Sequence, residues 1–497
     1  MLAGRDRADG RGEGRVRSVW AVQPRQGPPR RAGDRLSALA AAQVGPAEGL
    51  RGVLPRERIL SGTDALPWSV WPTPPAAVVF PESTDEAATL LARASEEGWT
   101  VEPAGSGTWL WSGSTAAAPD IVLSASRMKR VVEYEPADLT ITVQAGMTLT
   151  ELEAVVAPHR QWLPLDPPGR RRSLGAVAST GVWGPLGASW GGPRDLTLGL
   201  RAVTGDGRAF GAGGRVVKNV AGFDLVRLLI GSRGALAFIT EVTTRLLPRP
   251  EADRTLVLAG ASLEELAHAA VAAYSQTATP AAVELVERRI PLENRWEAVL
   301  AVRLIGLEER VRAEEALIGR AVAGAAAGQL RELSADEAIA LWREVRHLED
   351  DADLALRMSI SPARLPELVE LARALGRMRG GRDELARSPV RMAMHGGAGA
   401  LRVAIPNLRV DSGWAERWAD RLEDVRRSIE WRGGTLSVTR APAALLPLLD
   451  AWRSPSARGE LMAGIKAAFD PAGILSVDRF VLELAPRPSD GGQPQEV

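Results

Sequence analysis

Hydrophobic and polar positions alternate in short, regular units from residue 76 onward. An apolar run over residues 76–80 is followed by Ser83, which opens an amphipathic helix predicted to reach about Gly98. A second short strand, residues 100–102, leads directly into a glycine loop. The pattern therefore predicts a βαβ unit that ends in this loop.

The next hundred residues continue with short elements. Alternation predicts strands over residues 121–123, 131–134 and 139–143. Thr148, with Glu151 three residues later, predicts a capped helix that reaches Val156. Residues 196–210 predict a β-hairpin that closes on the glycines of residues 205–207. The first half of the chain is thus expected to be mixed α and β.

Beyond Pro250 the segments become longer and richer in Ala, Leu, Glu and Arg. Helices are predicted at about 262–275, 307–324, 335–348 and 363–378, with strands at 296–304 and 354–360 between them. This alternation predicts a second domain of roughly 200 residues in which helices cover a sheet. The overall fold class is expected to be α+β.

Composition supports a globular protein with more than one domain. The chain has 497 residues, of which 45% are hydrophobic and 25% charged, and its formal net charge is zero. The net charge of the chain therefore does not attract it to nucleic acid. It contains no cysteine, which excludes thiolate nucleophiles and any iron–sulfur cluster bound by this chain. No apolar run approaches the ~18 residues that span a bilayer, so a cytoplasmic location is expected.

The first 50 residues differ from the rest. Nine arginines stand against four acids in the first 35 positions, among many Gly, Pro and Ala. Such a segment buries too little apolar surface to fold, so residues 1–50 are expected to form a disordered basic tail. Binding of an anionic partner is the alternative. Residues 483–497 are expected to form a second disordered tail.

Two glycine-rich segments carry candidate chemistry. Gly105-Ser106-Gly107 follows a predicted strand, where backbone N–H groups can hold a phosphate, although Leu110 breaks the dinucleotide-binding G-x-G-x-x-G pattern. An ordinary turn is the alternative for this loop alone. A second segment, residues 166–184, combines small residues with Ser and Thr hydroxyls. Two such segments suit an extended ligand.

A third segment makes the resemblance specific. Residues 213–225, 228–234 and 239–243, together with the two glycine-rich segments, resemble the FAD-binding domain of the vanillyl-alcohol-oxidase and p-cresol-methylhydroxylase (PCMH-type) superfamily. Within it they are most similar to the FAD-binding subunits of glycolate oxidases. The resemblance implies a two-subdomain FAD-binding domain over 70–250 and an α+β cap of the FAD-linked oxidase C-terminal type over 251–482.

The resemblance also implies which residues bind FAD. The first loop would cradle the pyrophosphate, the second segment would line the flavin, and the strand near Ile239 would meet the adenine end. The residues carried over by position are Pro103, Ala104, Gly105, Ser106, Gly107, Thr108, Trp109, Asp166, Pro167, Gly169, Ser173, Leu174, Gly175, Ala176, Ser179, Thr180, Gly184, Ile239, Glu241 and Val242. The glycine loop has no histidine and the chain no cysteine, so the FAD is expected to be non-covalent.

Some positions depart from the pattern of the family or allow two interpretations. Ala235, Ala237 and Phe223 replace the Thr, Gly and Tyr that the family usually has. Lys218 and Asn219 would either place positive charge near a phosphate or the flavin, or brace a loop through backbone hydrogen bonds.

Catalytic residues are harder to select. Oxidation of a 2-hydroxy acid needs a cation for the carboxylate and a base for the hydroxyl. The candidates are Arg357, Arg346 and His395, with a solvated charged helix face as the alternative for Arg346. His395 is followed by Gly396-Gly397 without a second histidine or carboxylate at ligand spacing, so no metal is expected.

The function implied by the resemblance is that of an FAD subunit in a glycolate or related 2-hydroxy-acid oxidase complex. A second FAD subunit and an iron–sulfur subunit would be its partners, and peripheral membrane association through the complex is compatible with this. Two alternatives are a self-sufficient FAD-linked dehydrogenase of another hydroxy acid or alcohol, and a non-catalytic flavin-containing structural subunit.

Overall fold

The computed structural model describes residues 45–71, 73–111, 117–214, 223–274, 279–290, 295–376, 391–395, 399–408, 410–449 and 456–477. Residues 1–44 of the predicted basic tail and the predicted tail over 483–497 lie outside the described residues. The last residues of the predicted basic tail, 45–50, are among those that the structure describes. Pro46–Gly49 forms a helical turn and the side chain of Leu50 is fully buried, so ordered structure begins by residue 46.

The strands of the first half form three sheets. In chain order they are β1 (Ile59–Leu60), β2 (Ala77–Val79), β3 (Val101–Ala104), β4 (Ile121–Ser124), β5 (Val131–Glu135), β6 (Thr140–Gln144), β7 (Gln161–Trp162), β8 (Thr197–Thr204), β9 (Ala209–Gly213), β10 (Ala237–Arg245) and β11 (Leu247–Pro248). The first sheet has the order β1-β2-β4-β3, with β2, β4 and β3 parallel. The second sheet is antiparallel with the order β5-β6-β10-β8-β9, and β7 pairs with β11.

The first half contains α-helices of four to fourteen residues, and side chains cap the start of some of them. The helices are α1 (Pro46–Gly49), α2 (Thr84–Glu97), α3 (Leu149–Val156), α4 (Leu174–Thr180), α5 (Gly187–Trp190), α6 (Pro193–Leu196) and α7 (Leu225–Leu229). The Ser83 side chain accepts a hydrogen bond from the Glu86 N–H at the start of α2, and Gly98 ends the helix with a φ of 70°. Thr148 and Glu151 form the predicted capping box of α3. Both predicted helices are thus confirmed.

The second half is built on one antiparallel sheet of eight strands. The strands are β12 (Ala252–Ala259), β13 (Ala282–Ile290), β14 (Arg295–Gly306), β15 (Gln329–Glu332), β16 (Leu354–Ser359), β17 (Arg391–His395), β18 (Ala400–Ile405) and β19 (Thr435–Arg440). Their order in the sheet is β15-β12-β14-β13-β17-β18-β16-β19.

Helices cover the two faces of this sheet unequally. In chain order the helices of this half are α8 (Leu263–Tyr274), α9 (Glu308–Ala325), α10 (Ala335–Arg346), α11 (Leu365–Gly376), α12 (Trp414–Trp431) and α13 (Ser456–Phe469). Apolar side chains of α8, α9, α11 and α12 pack on one face. Among the described helices, α10 contributes to the apolar cluster on the other face, through Leu341, Trp342 and Val345. The rest of that second face is available for polar side chains, and the candidate residues lie there.

The last described segment returns to the first half of the chain. Ile474 and Leu475 belong to the apolar core of the first half, and Leu475 bridges to Val101 in a parallel direction. The buried Lys466 Nζ donates to the carbonyl oxygen of Ala235 and to Asp470 Oδ2, each at 2.6 Å. The predicted cap range, residues 251–482, therefore includes a segment that packs in the core of the first half.

A pH-dependent ion pair joins the start of the described chain to α2. The guanidinium of Arg58, which is 9% exposed, donates to both carboxylate oxygens of Glu86 at 2.6 and 2.9 Å. This hydrogen bonding holds the pKa of Glu86 below its ordinary value of 4.5. The stabilisation is therefore fully present above the unfolded-state pKa and is lost as the pH falls through the folded-state pKa.

We expect Glu86→Gln to lower the free energy of unfolding by about 1 kcal/mol at neutral pH, because the pair is partly exposed. The difference from the unaltered protein should shrink at acidic pH, as the pH falls through the lowered folded-state pKa of Glu86. Urea unfolding followed by circular dichroism at both pH values measures this. An equal difference at the two pH values would contradict the assignment.

None of the helices in the described part of the chain is long and apolar enough to cross a membrane.

Candidate functional site

A cleft of about 670 Å³ lies where three separate segments of the first half meet. Residues 103–110 run from the end of β3 into the glycine loop, residues 172–180 include α4, and residues 233–239 run into the start of β10. These are the three segments that the sequence singled out. The cleft is therefore lined mainly by backbone and small side chains, which suits a long ligand held against the chain.

Glycines in the first loop keep the cleft open. A Cβ atom on Gly105 would lie 2.1 Å from Ser173 Oγ and 3.0 Å from Ala176 Cβ, so a larger residue here would fill the space between two lining segments. Gly107 has a φ of 78°, which L-residues rarely adopt, and a Cβ there would meet the ring of Trp68 at 2.8 Å. The loop is braced by Trp111, whose Nε1 donates to the Thr108 carbonyl oxygen at 2.8 Å.

Ser173 provides an unused polar group in the cleft. It precedes α4, but its side chain makes no cap hydrogen bond. The residue is 1% exposed, and Oγ has no hydrogen-bond partner in the described part of the chain. A buried hydroxyl without a partner carries a free-energy cost, so a polar ligand in the cleft would satisfy it. The cleft therefore fits a ligand with phosphate or carbonyl oxygens.

Most of the predicted FAD-binding residues line this cleft. They are Pro103, Ala104, Gly105, Ser106, Gly107, Thr108, Trp109, Ser173, Gly175, Ala176, Ser179, Thr180 and Ile239. The sequence analysis missed seven further lining residues: Leu110, Ala125, Ala145, Arg172, Arg233, Ala237 and Phe238. Arg172 and Arg233 lie within segments that the sequence analysis had selected, so the sequence could have indicated them, whereas Ala125 and Ala145 are brought in only by the fold.

Seven other predicted residues lie outside the cleft lining: Asp166, Pro167, Gly169, Leu174, Gly184, Glu241 and Val242. Leu174 and Val242 belong to the apolar core. Asp166 is buried and accepts a hydrogen bond from the Leu186 N–H at 3.1 Å, and Gly184 packs against the backbone of Asp166. These residues shape the segment that leads to the cleft. Lys218, Asn219 and the glycines at 396 and 397 lie outside the described residues.

The segment before α4 is bound to helix α10 of the second half. The Gly169 N–H donates to the carbonyl oxygen of Arg346 at 2.8 Å, and the Arg170 side chain pairs with Asp350 at 2.9 Å. The Arg172 Nη1 donates to the Pro167 carbonyl oxygen. The segment that lines the cleft at Ser173 therefore also contacts α10, the helix that packs on the eight-stranded sheet.

Arg346 does not lie on a solvated helix face. It is half-buried, and burial lowers its pKa while the charge of Asp166 opposes this effect. Asp166 is itself fully buried, which raises its pKa, and the charges of Arg303, His395 and Arg346 counteract this. The charged-face alternative is therefore wrong for Arg346.

Arg357 and His395 meet at a tryptophan from the first half. The Arg357 guanidinium carbon lies 5.0 Å from the ring centre of Trp183, and the His395 ring centre lies 5.5 Å from it. Trp183 follows α4 by three residues, next to the cleft-lining Thr180. The structure thus brings two of the three catalytic candidates to the end of the segment that lines the cleft.

His395 is paired with a carboxyl group that the sequence did not indicate. Its Nδ1 contacts Glu284 Oε1, and both residues are at most 1% exposed. Burial raises the pKa of Glu284 well above its ordinary value. Burial, together with the charges of Arg402 and Arg357, lowers the pKa of His395 well below its ordinary value. No cluster of three metal-ligating side chains occurs among the described residues.

Comparison with known proteins agrees with this arrangement. Residues 75–213 match the FAD binding domain family. Glycolate oxidase subunit GlcD of Bacillus subtilis is 27% identical over 445 residues, which cover 84% of this chain and 91% of that protein. Glycolate oxidase subunit GlcE of Escherichia coli is 37% identical over 207 residues, which cover 41% of this chain and 55% of that protein. The chain thus matches one relative almost throughout and only about half of the other.

The fold is also that of a solved flavoenzyme. The structure of p-cresol methylhydroxylase superposes with a TM-score of 0.68 at 13% identity, covering 90% of this chain and 97% of that chain. The α+β fold class and the resemblance inferred from the sequence motifs are thereby confirmed. Residues 75–213 thus match an FAD binding domain, and the chain has the fold of p-cresol methylhydroxylase and is similar to subunits of glycolate oxidase.

Proposed function

We propose that this chain binds FAD non-covalently in the cleft and takes part in oxidising glycolate or a related 2-hydroxy acid as a subunit of a larger complex. The observation that carries the proposal is the meeting of three backbone segments around the buried, unpartnered Ser173 hydroxyl. Similarity to two glycolate oxidase subunits supports the substrate class.

The lining residues divide the work of holding FAD. Backbone N–H groups of the loop at Gly105 and Gly107 suit the pyrophosphate, and the hydroxyls of Ser173, Ser179 and Thr180 suit carbonyl or phosphate oxygens. Among the described residues, no histidine lines the cleft, and the chain has no cysteine, which supports dissociable cofactor. When bound, FAD supplies a two-electron acceptor for the hydride that leaves the substrate carbon.

The second half supplies the polar groups for a hydroxy acid. Arg357 and His395 lie together beside Trp183, and Arg346 holds the backbone of the segment before α4. Arg357 is therefore the candidate for the substrate carboxylate, and His395 is the candidate for a polar contact to the substrate. Arg346 would act as a positioning residue, because its carbonyl oxygen accepts the Gly169 N–H.

Electrons taken up here would pass to an acceptor or iron–sulfur cluster located elsewhere, because a chain without cysteine cannot ligate such a cluster through thiolates. A second FAD subunit and an iron–sulfur subunit are the partners that we propose. The complex would be cytoplasmic, with peripheral membrane contact through its other subunits. With zero net charge, nucleic acid is not a proposed partner.

The proposal is tested by purifying the full chain and recording its visible spectrum before and after acid precipitation. We expect a flavin spectrum, with FAD released into the acid supernatant. Anaerobic addition of glycolate, D-lactate or other 2-hydroxy acids should then bleach the flavin. A folded protein that is colourless and cannot be reconstituted with FAD would overturn the proposal, and flavin that stays with the precipitated protein would overturn its non-covalent part.

A further inference from the structure

Four polar side chains lie side by side on the face of the eight-stranded sheet that α10 leaves partly uncovered. The strand register places Glu284 opposite His395, and Arg402 opposite both Ala393 and Arg357. Trp183 contacts this group from the first half of the chain. The group is therefore positioned by three strand pairings and not by one loop.

We propose that Arg402, Arg357 and the His395 Nε2–H form a site for a carboxylate anion, and that Glu284 is a positioning residue that fixes the tautomer of His395. This inference rests on the proposed function for the identity of its natural ligand, a small 2-hydroxy acid. The site itself follows from the donors described below.

Arg402 carries hydrogen-bond donors without acceptors. The residue is 2% exposed, and its Nη2 donates to the Val345 carbonyl oxygen at 2.6 Å. Its Nε and Nη1 have no hydrogen-bond partner in the described part of the chain. The nearest carboxylate oxygen, Oε1 of Glu349, lies 3.6 Å from Nη1, beyond hydrogen-bond distance. A buried guanidinium with two N–H groups that lack acceptors can bind an anion that accepts a hydrogen bond from both.

Arg357 adds a second positive charge to the same place. It neighbours Arg402 directly across the β16–β18 pair, and its guanidinium stacks on Trp183. No carboxylate of the described residues lies within ion-pair distance of it. Among the described residues, Glu349 is the carboxylate within ion-pair distance of Arg402, so the two adjacent guanidiniums leave an excess of positive charge. A bound carboxylate would offset that excess.

The Glu284–His395 pair presents a third donor. Burial raises the pKa of the Glu284 carboxyl well above its ordinary value, and its Oε1 contacts His395 Nδ1. In the proposed site the carboxyl donates to Nδ1. The neutral imidazole then carries its proton on Nε2, which has no partner in the described part of the chain. The charged groups that act on His395 are Arg402, Arg357, Asp166 and Glu349. Hydrogen-bond donors therefore outnumber hydrogen-bond acceptors around His395, Arg357 and Arg402.

Isothermal titration with oxalate tests the site, because oxalate carries carboxylates but no oxidisable C–H bond. We expect oxalate to bind the full chain, and Arg402→Met to weaken that binding roughly tenfold or more. Arg357→Met should also weaken oxalate binding, and it provides the test if Arg402→Met does not fold. The matched control is Arg320→Met on the exposed surface of α9, which should bind oxalate unchanged.

The positioning role of Glu284 has its own measurement. Glu284→Gln keeps an N–H donor for Nδ1 and should bind oxalate nearly as well as the unaltered protein, whereas Glu284→Leu should bind it more weakly. With Glu284 present, oxalate affinity should fall as the pH rises and the pair loses its proton, and this pH dependence should be absent in Glu284→Gln. Equal affinity of the Leu and Gln variants would overturn the positioning role.

The outcomes separate this inference from the proposed function. Titrations are carried out on both the FAD-loaded and the FAD-depleted protein. Oxalate binding by a protein that never holds FAD would support the anion site and overturn the flavin proposal. FAD binding without oxalate binding, or unchanged affinity in both arginine variants, would overturn the anion site alone.

Discussion

Replacing Gly105 by valine should remove FAD from the protein. A Cβ at this position lies 2.1 Å from Ser173 Oγ and 3.0 Å from Ala176 Cβ, and the two further methyl groups of valine would occupy the space between the lining segments. We expect the FAD affinity to fall roughly 100-fold, which corresponds to about 2.8 kcal/mol. The ratio of flavin absorbance to protein absorbance after purification, followed by titration with added FAD, measures the effect.

The matched control is Gly211→Val. Gly211 lies in β9, and a Cβ there meets no atom within 4 Å, so valine is accommodated in a strand that favours it. This variant should retain its flavin. If Gly105→Val kept a full complement of FAD with unchanged affinity, the cleft would not be the cofactor site.

Replacing Lys466 by methionine should destabilise the protein by about 3–5 kcal/mol. The Lys466 ammonium is buried and donates at 2.6 Å to Asp470 Oδ2 and to the carbonyl oxygens of Ala235 and Leu475. Methionine would leave these three acceptors buried without that donor. The midpoint of urea unfolding, monitored by circular dichroism, measures the loss.

Lys129 provides the comparison because it forms an ion pair of equal length. Its Nζ lies 2.6 Å from Glu151 Oε1, but its side chain is 44% exposed. Lys129→Met should therefore change the free energy of unfolding by less than about 1 kcal/mol. Equal losses of unfolding free energy in the two variants would show that the contribution of Lys466 to stability does not depend on its burial.

Local sequence was sufficient to predict elements that depend on local physics. The capping box at Thr148, the helix stop at Gly98 and the hairpin around Gly207 are each set by interactions within a few residues. The glycine loop and the segment at Ser173 were also found from local composition. Their meeting in one cleft was inferred from the resemblance to known flavoproteins, since no local pattern specifies it.

The parts that were missed depend on distant pairing. All six residues of β18 are buried, so the strand shows no alternation of polar and apolar positions, and it was not predicted. Glu284 and Arg402 gain their importance only from the register that sets them beside His395 and Arg357. The return of Leu475 to Val101 likewise joins residues at opposite ends of the described chain. Sequence patterns carry no record of such partners.

The packing of Ile474 and Leu475 on the first half has a consequence for folding during synthesis of the protein. The core around Val101 stays incomplete until Ile474 and Leu475 have left the ribosome, after the whole eight-stranded sheet has been translated. The nascent first half must therefore wait with an unfinished edge while the second half emerges. Any truncated or split version of the gene that ends before residue 466 would deprive the first half of the buried Lys466–Asp470 pair and of the bridge between Leu475 and Val101.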